Sequence, residues 1–501
     1  MPTYAGLAST IRRTAAALLT QWLFGYVHGL TLALGATLLG VCVDYPIHTL
    51  AHATAVEPGM RQSVIGRIWP SLLMGGATTV IGYTALGLSG YPGFQQIAVF
   101  AGTGIVVALL LTRFVLPAFV IEHRGHWPRR RFLGVWIASC ERQRLPLTLL
   151  VSLLTLAALA SLPRLTWLED LEKLTSGLSE LRKQDREIRA CMVSIEPGRL
   201  VLIKGADAEA ALEKSERVCG ILENLKREGK LKDYFGPYPW LVSETLQRRN
   251  EQAFRAQLSD ANIAAWRDAL IKQGLSVERL GRLTPSGTPP LPPSAVLKSP
   301  VKNLISGQLI QAQDKTLVVI WLSAHQPDAL RDALKDIDDA QYFSQRDMLN
   351  KLAQRYQQRA TTMLLIGLAA IYVLLLLRYR HPLPALQALA PALLAALFIL
   401  AAFALTGHPV SFLHIVGFLL AVAICVDYGI FYLENRTHDK ALTYQAMGAS
   451  MLTTLIAFGA LALAENPTLR ALLAAVSLGV LVGYLLCPVV IRTHQPHSQR
   501  A

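Results

Sequence analysis

The chain has 501 residues, 52% of them hydrophobic and only 16% charged, which is too apolar for an ordinary soluble protein and too long for one small domain. Its formal net charge of +14 would suggest nucleic acid in a soluble chain. Here the basic excess falls largely in short segments between apolar runs, the positive-inside pattern of a multi-pass membrane protein with no nucleic-acid partner. No metal-ligand spacing, phosphate-cradling glycine loop or nucleophile constellation is evident, so neither an enzyme, a metal or other cofactor, nor an ATP-driven pump is expected.

The first apolar stretch, Thr14 to Val27, is about 14 residues or roughly 21 Å of helix, too short to span alone. It reaches back to Ala5 only by placing Arg12 and Arg13 in the membrane or snorkelling them to its edge. It imitates the start of a secretory signal, but no small-residue cleavage site follows Tyr26. Further segments of spanning length lie at about 30–51, 68–88, 97–121, 145–162, 361–378, 385–406, 410–433, 447–464 and 469–491. With the first, these make about ten spans. The connections carrying Arg124, Arg129, Arg130, Arg131, Arg142 and Arg144, then Arg378 and Arg380, then Arg436 and Lys440, and the tail with Arg492 and Arg500, all fall on one side. That side is expected to be cytoplasmic.

By the same parity the polar region between the fifth and sixth spans lies outside. Arg199 to Lys204 and Thr316 to Leu322 read as strands, Asp207 to Arg227 and Pro327 to Ile337 as helices, with further helices between about Glu244 and Gln273. The stretch Thr284 to Pro300, with six prolines, reads as an irregular or polyproline connector. Cys191 and Cys219 share this region and can pair if it faces an oxidising compartment, although two free thiols is the simpler reading. The fold expected is a polytopic α-helical membrane protein with one outer α+β domain. Its parts are a membrane bundle over 1–121, a basic cytoplasmic connector over 122–144, a single span at 145–162, the outer domain over 163–359, a second bundle over 360–492 and a tail over 493–501.

The tetrapeptide Cys-Val-Asp-Tyr occurs twice, at Cys42 to Tyr45 and at Cys425 to Tyr428, each time inside a span. A charged residue at mid-bilayer costs roughly 2.5 to 3.5 kcal/mol on insertion scales, so intramembrane carboxylates point to ion or proton handling. The span that follows each copy carries a Thr-Thr pair, Thr78 with Thr79 and Thr453 with Thr454. Beyond it Pro92 matches Pro467 and Gly104 matches Gly479 at one constant offset. Corresponding spans point the same way, so the halves are parallel repeats about an axis along the membrane normal. An aspartate held there is neutral and fits a dry interior when protonated. When ionised it needs a hydroxyl donor, which Tyr45, Tyr428, Thr79 or Thr454 can supply. His48 follows Asp44 by one helical turn on the same face, a candidate proton-entry group, though a histidine at the headgroup boundary explains it as simply. Gly479 and Gly483 form a small-residue helix-packing face, and His28, His414 and Glu434 read as ordinary residues of span ends.

The paired Val-Asp-Tyr motifs, the following Thr-Thr and the outer domain ahead of the last five spans resemble the resistance-nodulation-division superfamily. The segment His28 to His48, H-G-L-T-L-A-L-G-A-T-L-L-G-V-C-V-D-Y-P-I-H, is most similar to its mycobacterial-membrane-protein-large branch and related bacterial exporters. The resemblance implies a proton-driven exporter of a lipid or other amphipathic product in the bacterial inner membrane, with the large domain in the periplasm and Asp44, Tyr45, Asp427 and Tyr428 as the proton relay. Against a full family member of twelve spans and two outer domains, the chain matches from the third span onward. A partner supplying the preceding segments, or a second copy of this chain, is then expected. Two other readings stay open, a subunit of a split transporter that is inactive alone and a membrane sensor or scaffold that recognises lipid without pumping.

Overall fold

The computed structural model describes residues 2–121, 131–167, 179–192, 195–277, 289–300, 302–305, 307–312, 315–434, 440–463 and 467–491. They form two compact units, one from the chain up to Leu178 and from Asn350 onward, the other over Ser179–Leu349. The second is narrower than the 163–359 read from polarity.

The first unit is a helical bundle. Its first half contains α1 (Pro2–Phe24), α2 (Gly29–Thr54), α3 (Arg61–Gly87), α4 (Pro92–Leu110), which passes through a π turn at Leu111–Val115 into α5 (Leu116–Ile121), α6 (Arg131–Arg142) and α7 (Arg144–Ser161). Among the described residues, eight helical runs are long and apolar enough to cross a membrane, three of them in this half and five in the second. Helices α1 and α2, with 23 and 26 residues, also have the length, about 34 and 39 Å at the helical rise. The protein is thus a polytopic helical membrane protein. The helix at the first apolar stretch takes the longer of the two extents the sequence allowed and runs back past both arginines to Pro2. Arg12 is buried and Arg13 exposed, so one is inside the bundle and the other at its surface. The connector read over 122–144 contains α6, which packs Ile137 and Cys140 inward. Residues 122–130 of that connector, with Arg124, Arg129 and Arg130, lie outside the described residues, as do Arg436, Arg492 and Arg500.

The second unit begins with α8 (Ser179–Met192), followed by β1 (Ile195–Gly205), α9 (Ala208–Arg227), β2 (Tyr234–Phe235), α10 (Glu244–Gln257), α11 (Asp260–Lys272), the single turns α12 (Pro293–Val296) and α13 (Lys302–Ile305), β3 (Leu309–Ala312), β4 (Lys315–Ser323), α14 (Pro327–Leu334) and β5 (Ala340–Ser344). The strands make one antiparallel sheet in the order β2-β4-β1-β5, with β3 also paired to β4. Val201 of β1 sits opposite Ile320 of β4 and Tyr342 of β5. Val201, Ile203, Val318 and Ile320 meet Leu212, Val218 and Leu222 of α9 in the core, which is why β1 and α9 carry opposite periodicities in the sequence. Asp207 caps α9 by accepting from the Ala210 amide at 2.8 Å, a bond typically worth about 1 kcal/mol. The connector expected over Thr284 to Pro300 includes the helical turn α12, because Pro293 takes the first helical position, where its missing N–H costs nothing. Pro285 lies outside the described residues.

Cys219 is a free, buried thiol, and burial pushes it up to about 12. The side chain of Cys191 lies outside the described residues. At pH 8 Cys219 is therefore overwhelmingly protonated, and the thiolate is the nucleophile. Maleimide labelling of the folded chain at Cys219 should be slower than in urea by more than tenfold.

The chain then enters α15 (Gln345–Tyr379), which leads to α16 (Pro382–Thr406), α17 (Phe412–Glu434), α18 (Lys440–Ala462) and α19 (Pro467–Val490). An 18-residue stretch of α17 is buried throughout, whereas α7 is mostly exposed, with Leu145, Leu149, Leu153 and Leu156 outward. Helix α17 is the centre of the bundle and packs on α19, α3 and α16. Close approach depends on small residues. A Cβ on Gly479 would lie 2.6 Å from Ala421 Cβ and one on Gly483 2.6 Å from Cys425 Sγ. The small-residue face read from the sequence is thus the α17/α19 seam.

Candidate functional site

Asp44 and Tyr45 lie on α2, Asp427 and Tyr428 on α17, and all four side chains are at most 2% exposed. The repeats exchange partners. Helix α2 packs most extensively on α18 of the other half, and α17 packs on α3. Two matching contacts set these distances. A Cβ on Gly40 of α2 would lie 3.0 Å from Ala457 Cβ of α18, and one on Gly82 of α3 would lie 2.7 Å from Ala423 Cβ of α17. In the repeat, Gly40 corresponds to Ala423 and Gly82 to Ala457, so the same glycine-alanine contact is made twice with its members reversed.

The exchange decides which threonines meet which aspartate. Thr78 Oγ1 donates to Asp427 Oδ1 and Thr79 Oγ1 to Asp427 Oδ2, both at 3.0 Å. The Thr-Thr pair of the first half therefore serves the carboxyl of the second. Each hydroxyl also lies within hydrogen-bond distance of the Gly75 carbonyl, at 2.8 and 3.0 Å, but a hydroxyl has one proton to give. With Asp427 ionised, both threonines donate to it. With Asp427 protonated, it donates to one hydroxyl and the threonines turn their protons to Gly75 O. The same heavy-atom arrangement thus satisfies either protonation state by hydroxyl rotation. Gly75 is part of the fit, since a Cβ there would lie 3.2 Å from Asp427 Cγ.

The Asp44 side differs. At the repeat position of Gly75 stands Ser450, whose hydroxyl faces Asp44. Thr453 Oγ1 bonds back to Ser450 O at 2.8 Å, as threonines in helices commonly do. Asp44 Oδ1, Ser450 Oγ, Thr454 Oγ1 and the Tyr428 hydroxyl are all buried without a hydrogen-bond partner among the described residues, as is the Tyr45 hydroxyl. The tyrosines also face across the repeats, Tyr45 towards Asp427 and Thr79, Tyr428 towards Asp44 and Ser450.

Pro46 of α2 removes the amide that would bond the Cys42 carbonyl four residues back. Arg12 fills the gap, with Nη1 donating to Cys42 O at 2.9 Å and Nε to Ala8 O at 3.1 Å. This is the reason a guanidinium is tolerated within the bundle. In the second half the position of Pro46 is taken by Gly429, where Ala388 O comes within 1.9 Å of where a Cβ would stand.

His48 is enclosed by the bundle rather than exposed at its surface. It lies against Phe431, ring centroids 4.0 Å apart at 35°. Since Phe431 is the repeat counterpart of His48, the two meet where the halves face each other. One further turn along the same face, His52 Nε2 lies 3.2 Å from Thr443 Oγ1. Asp44, His48 and His52 therefore form one titratable column on α2, which α17 does not repeat at Phe431. Glu434 accepts from Ser71 Oγ and, at 3.1 Å, from Arg378 Nε, tying α17 to α3 and α15. His414 Nδ1 accepts from the Ser411 amide at 3.1 Å, a structural contact.

No protein-family model matches the chain. It is similar to a membrane protein of Methanocaldococcus jannaschii, MJ1562, with 30% identity over 165 residues, covering 30% of this chain and 41% of that protein. Among solved structures it is similar to SecDF, a translocon-associated membrane protein from Thermus thermophilus, with a TM-score of 0.47, 12% identity and coverage of 98% of this chain and 61% of that one. The chain thus spans less than two thirds of the length of either protein.

The sequence reading named Thr79 and Thr454 as hydroxyl donors. Thr79 bonds a carboxyl, and the Thr454 hydroxyl is buried without a hydrogen-bond partner among the described residues. Missing from that reading as site residues were Thr78, Gly75, Ser450 and His52. The constant repeat offset already set Ser450 opposite Gly75, so that difference had a signal in the sequence. His52 had only its spacing of one turn from His48.

Proposed function

We propose that the protein is a proton-driven secondary transporter of the inner membrane of a bacterium, exporting a lipid or other amphipathic molecule, with the α+β unit on the outer side. The observation that carries this is the Asp427 clasp, a buried intramembrane carboxyl whose two hydroxyl partners on α3 can satisfy both its charged and its neutral form. A group that can be loaded and unloaded without orphaning its neighbours is what a proton-coupled step needs. Asp44 is the second carboxyl of the relay, with Tyr45 and Tyr428 between the two. Loading either one changes how α2 packs on α18 or α17 on α3, and those seams are where the halves can move against each other. One proton crossing 100 mV contributes about 2.3 kcal/mol to such a two-state equilibrium. The similarity to an archaeal membrane protein supports the membrane location, and the resemblance of the Asp-Tyr motifs to the resistance-nodulation-division superfamily supports the proton-driven reading.

Reconstitution of the full chain in lipid vesicles with an imposed pH gradient tests it. Protonophore-sensitive proton uptake above that of protein-free vesicles is expected, together with an infrared carboxyl signal that responds to pH. Vesicles as proton-tight as the protein-free ones, with no titrating carboxyl, would leave a lipid sensor or scaffold as the better description.

A further inference from the structure

We infer that Arg113, held against the ring of Trp69 where α3 and α4 part, binds the phosphate headgroup of an anionic phospholipid from the surrounding leaflet. This requires only that the helical unit sits in a bilayer, not that protons drive it.

One contact sets the depth of the pair. Arg61 Nη1, at the start of α3, donates to Val120 O, at the end of the helical run Pro92–Val120, at 2.6 Å. Measured from that level, Trp69 lies eight residues along α3 and Arg113 seven residues back along the run, about 12 and 10 Å at the helical rise. The run has 29 residues and is about 43 Å long, against a hydrocarbon core of about 30 Å. Centred in the core, it overhangs by roughly 7 Å at each end. The Arg113 backbone then falls a few ångströms inside the hydrocarbon, within a long side chain's reach of the headgroups.

Deeper in the bundle the two helices are tightly closed, since a Cβ on Gly76 would lie 2.6 Å from Leu109 Cδ1. One turn beyond Leu109 the chain is in the π turn Leu111–Val115, closed by the Leu116 amide on Leu111 O. Such turns inside α-helices frequently mark functional sites. There Arg113 Cζ stands 5.4 Å from the centroid of the Trp69 ring, within cation–π range. Both residues are half-buried, while Leu110, Phe114 and Leu73, one turn beyond Trp69, are exposed.

An arginine within a span normally pairs with a carboxylate or with backbone carbonyls. Arg12 and Arg61 do so, through Cys42 O and Val120 O. Arg113 has neither an ion pair nor a hydrogen bond among the described residues. The indole engages a face of the guanidinium and leaves its N–H edge, a planar fork that matches phosphate bidentately. The exposed leucines and phenylalanine around it offer contact to acyl chains that a free phosphate cannot use. The repeat argues against a folding role. At the constant offset Trp69 corresponds to Tyr444 and Arg113 to Pro488. The matching helices α18 and α19 pack together without this cation, and α19 runs helical to Val490.

Native mass spectrometry of the delipidated full chain, titrated with phosphatidylglycerol or phosphatidylcholine, tests the assignment. The tightest phosphatidylglycerol should be held at least tenfold more strongly than phosphatidylcholine. Arg113→Gln should weaken it at least tenfold, and Trp69→Leu and Arg113→Lys severalfold, since an ammonium lacks the fork. Arg67→Gln removes an exposed charge about 200° around α3 from Trp69 and should leave the affinity within twofold. Each variant is checked for monodispersity by gel filtration. Equal wild-type affinity for the two lipids, equal losses in Arg113→Gln and Arg67→Gln, or displacement of the bound lipid by millimolar inorganic phosphate would overturn the assignment. Should Arg113→Gln fail to purify, the wild-type ratio and Arg113→Lys decide, and a lysine variant that binds as tightly as wild type would also overturn it.

Discussion

Asp427→Asn should bring protonophore-sensitive proton uptake in vesicles down to the protein-free level while the protein still reaches the membrane and purifies as a monodisperse species. The amide is nearly isosteric with the carboxyl. It can accept from one threonine through its oxygen and donate to the other through its nitrogen, and that second hydroxyl keeps the Gly75 carbonyl as its own acceptor at 2.8 to 3.0 Å. Packing between α3 and α17 therefore survives, and what is lost is the exchangeable proton. Thr78→Val and Thr79→Val act on the same step from the other side. Each removes one hydrogen bond to the ionised carboxylate, worth about 1.5 to 3 kcal/mol, or about tenfold or more in the population of the charged form. Uptake in each single variant should fall by about that factor, the double variant should be near background, and Thr78→Ser should retain most of the rate. Undiminished uptake in Asp427→Asn would remove this carboxyl from the relay. Equal rates for Thr78→Val and wild type would show that the clasp is structural.

Much of this arrangement was legible in the sequence, and the illegible part has a common cause. Span length and hydropathy are local properties, so each apolar run from 30–51 onward falls on a helix, although polar turns extend some of them: α15 begins at Gln345, 16 residues before its run, and α3 and α18 each begin seven residues before theirs. The repeat was readable because Asp44 and Asp427 are each followed by a Thr-Thr span and a constant register. Which half supplies the threonines to which aspartate was not readable, since partner exchange is set by helix packing at Gly40 and Gly82, and a glycine does not announce its neighbour. Which of the two arginines is held inside, and by what, was not readable for a similar reason. The acceptor of Arg12 is the main-chain carbonyl of Cys42, and only the proline four residues later hints that this carbonyl is available. The burial of His48 was not readable either, because its neighbour in space, Phe431, is far away in the chain. In the second unit the short strands were not readable: β2, with 2 residues, is below the length at which alternation can be recognised, and β3 and β5, with 4 and 5, are at its lower limit.

The largest effect on folding is expected at Gly429, two residues beyond Asp427. Gly429→Ala would put a Cβ 1.9 Å from the carbonyl oxygen of Ala388, 2.8 Å from its carbon and 3.1 Å from its Cα. All three are main-chain atoms of α16, so no rotamer change relieves the clash and the two helices must move apart by more than an ångström. Overpacking of a tight core typically costs about 1 to 3 kcal/mol, occasionally more, and a backbone-on-backbone contact at the most buried helix belongs at the upper end. Gly75→Ala offers the informative contrast. Its new Cβ would be 3.2 Å from Asp427 Cγ, a contact that a few tenths of an ångström of side-chain movement can relieve. Melting of the purified proteins in detergent, followed by tryptophan fluorescence, should therefore show a large drop for Gly429→Ala, or no recoverable monodisperse protein, and a small one for Gly75→Ala. Proton uptake should rank differently, because the methyl at position 75 presses on the carboxyl that Thr78 and Thr79 hold. Gly75→Ala is expected to lose severalfold in rate while staying folded. A Gly429→Ala protein as stable as wild type would mean that α16 and α17 are not packed as closely as the Ala388 contact requires.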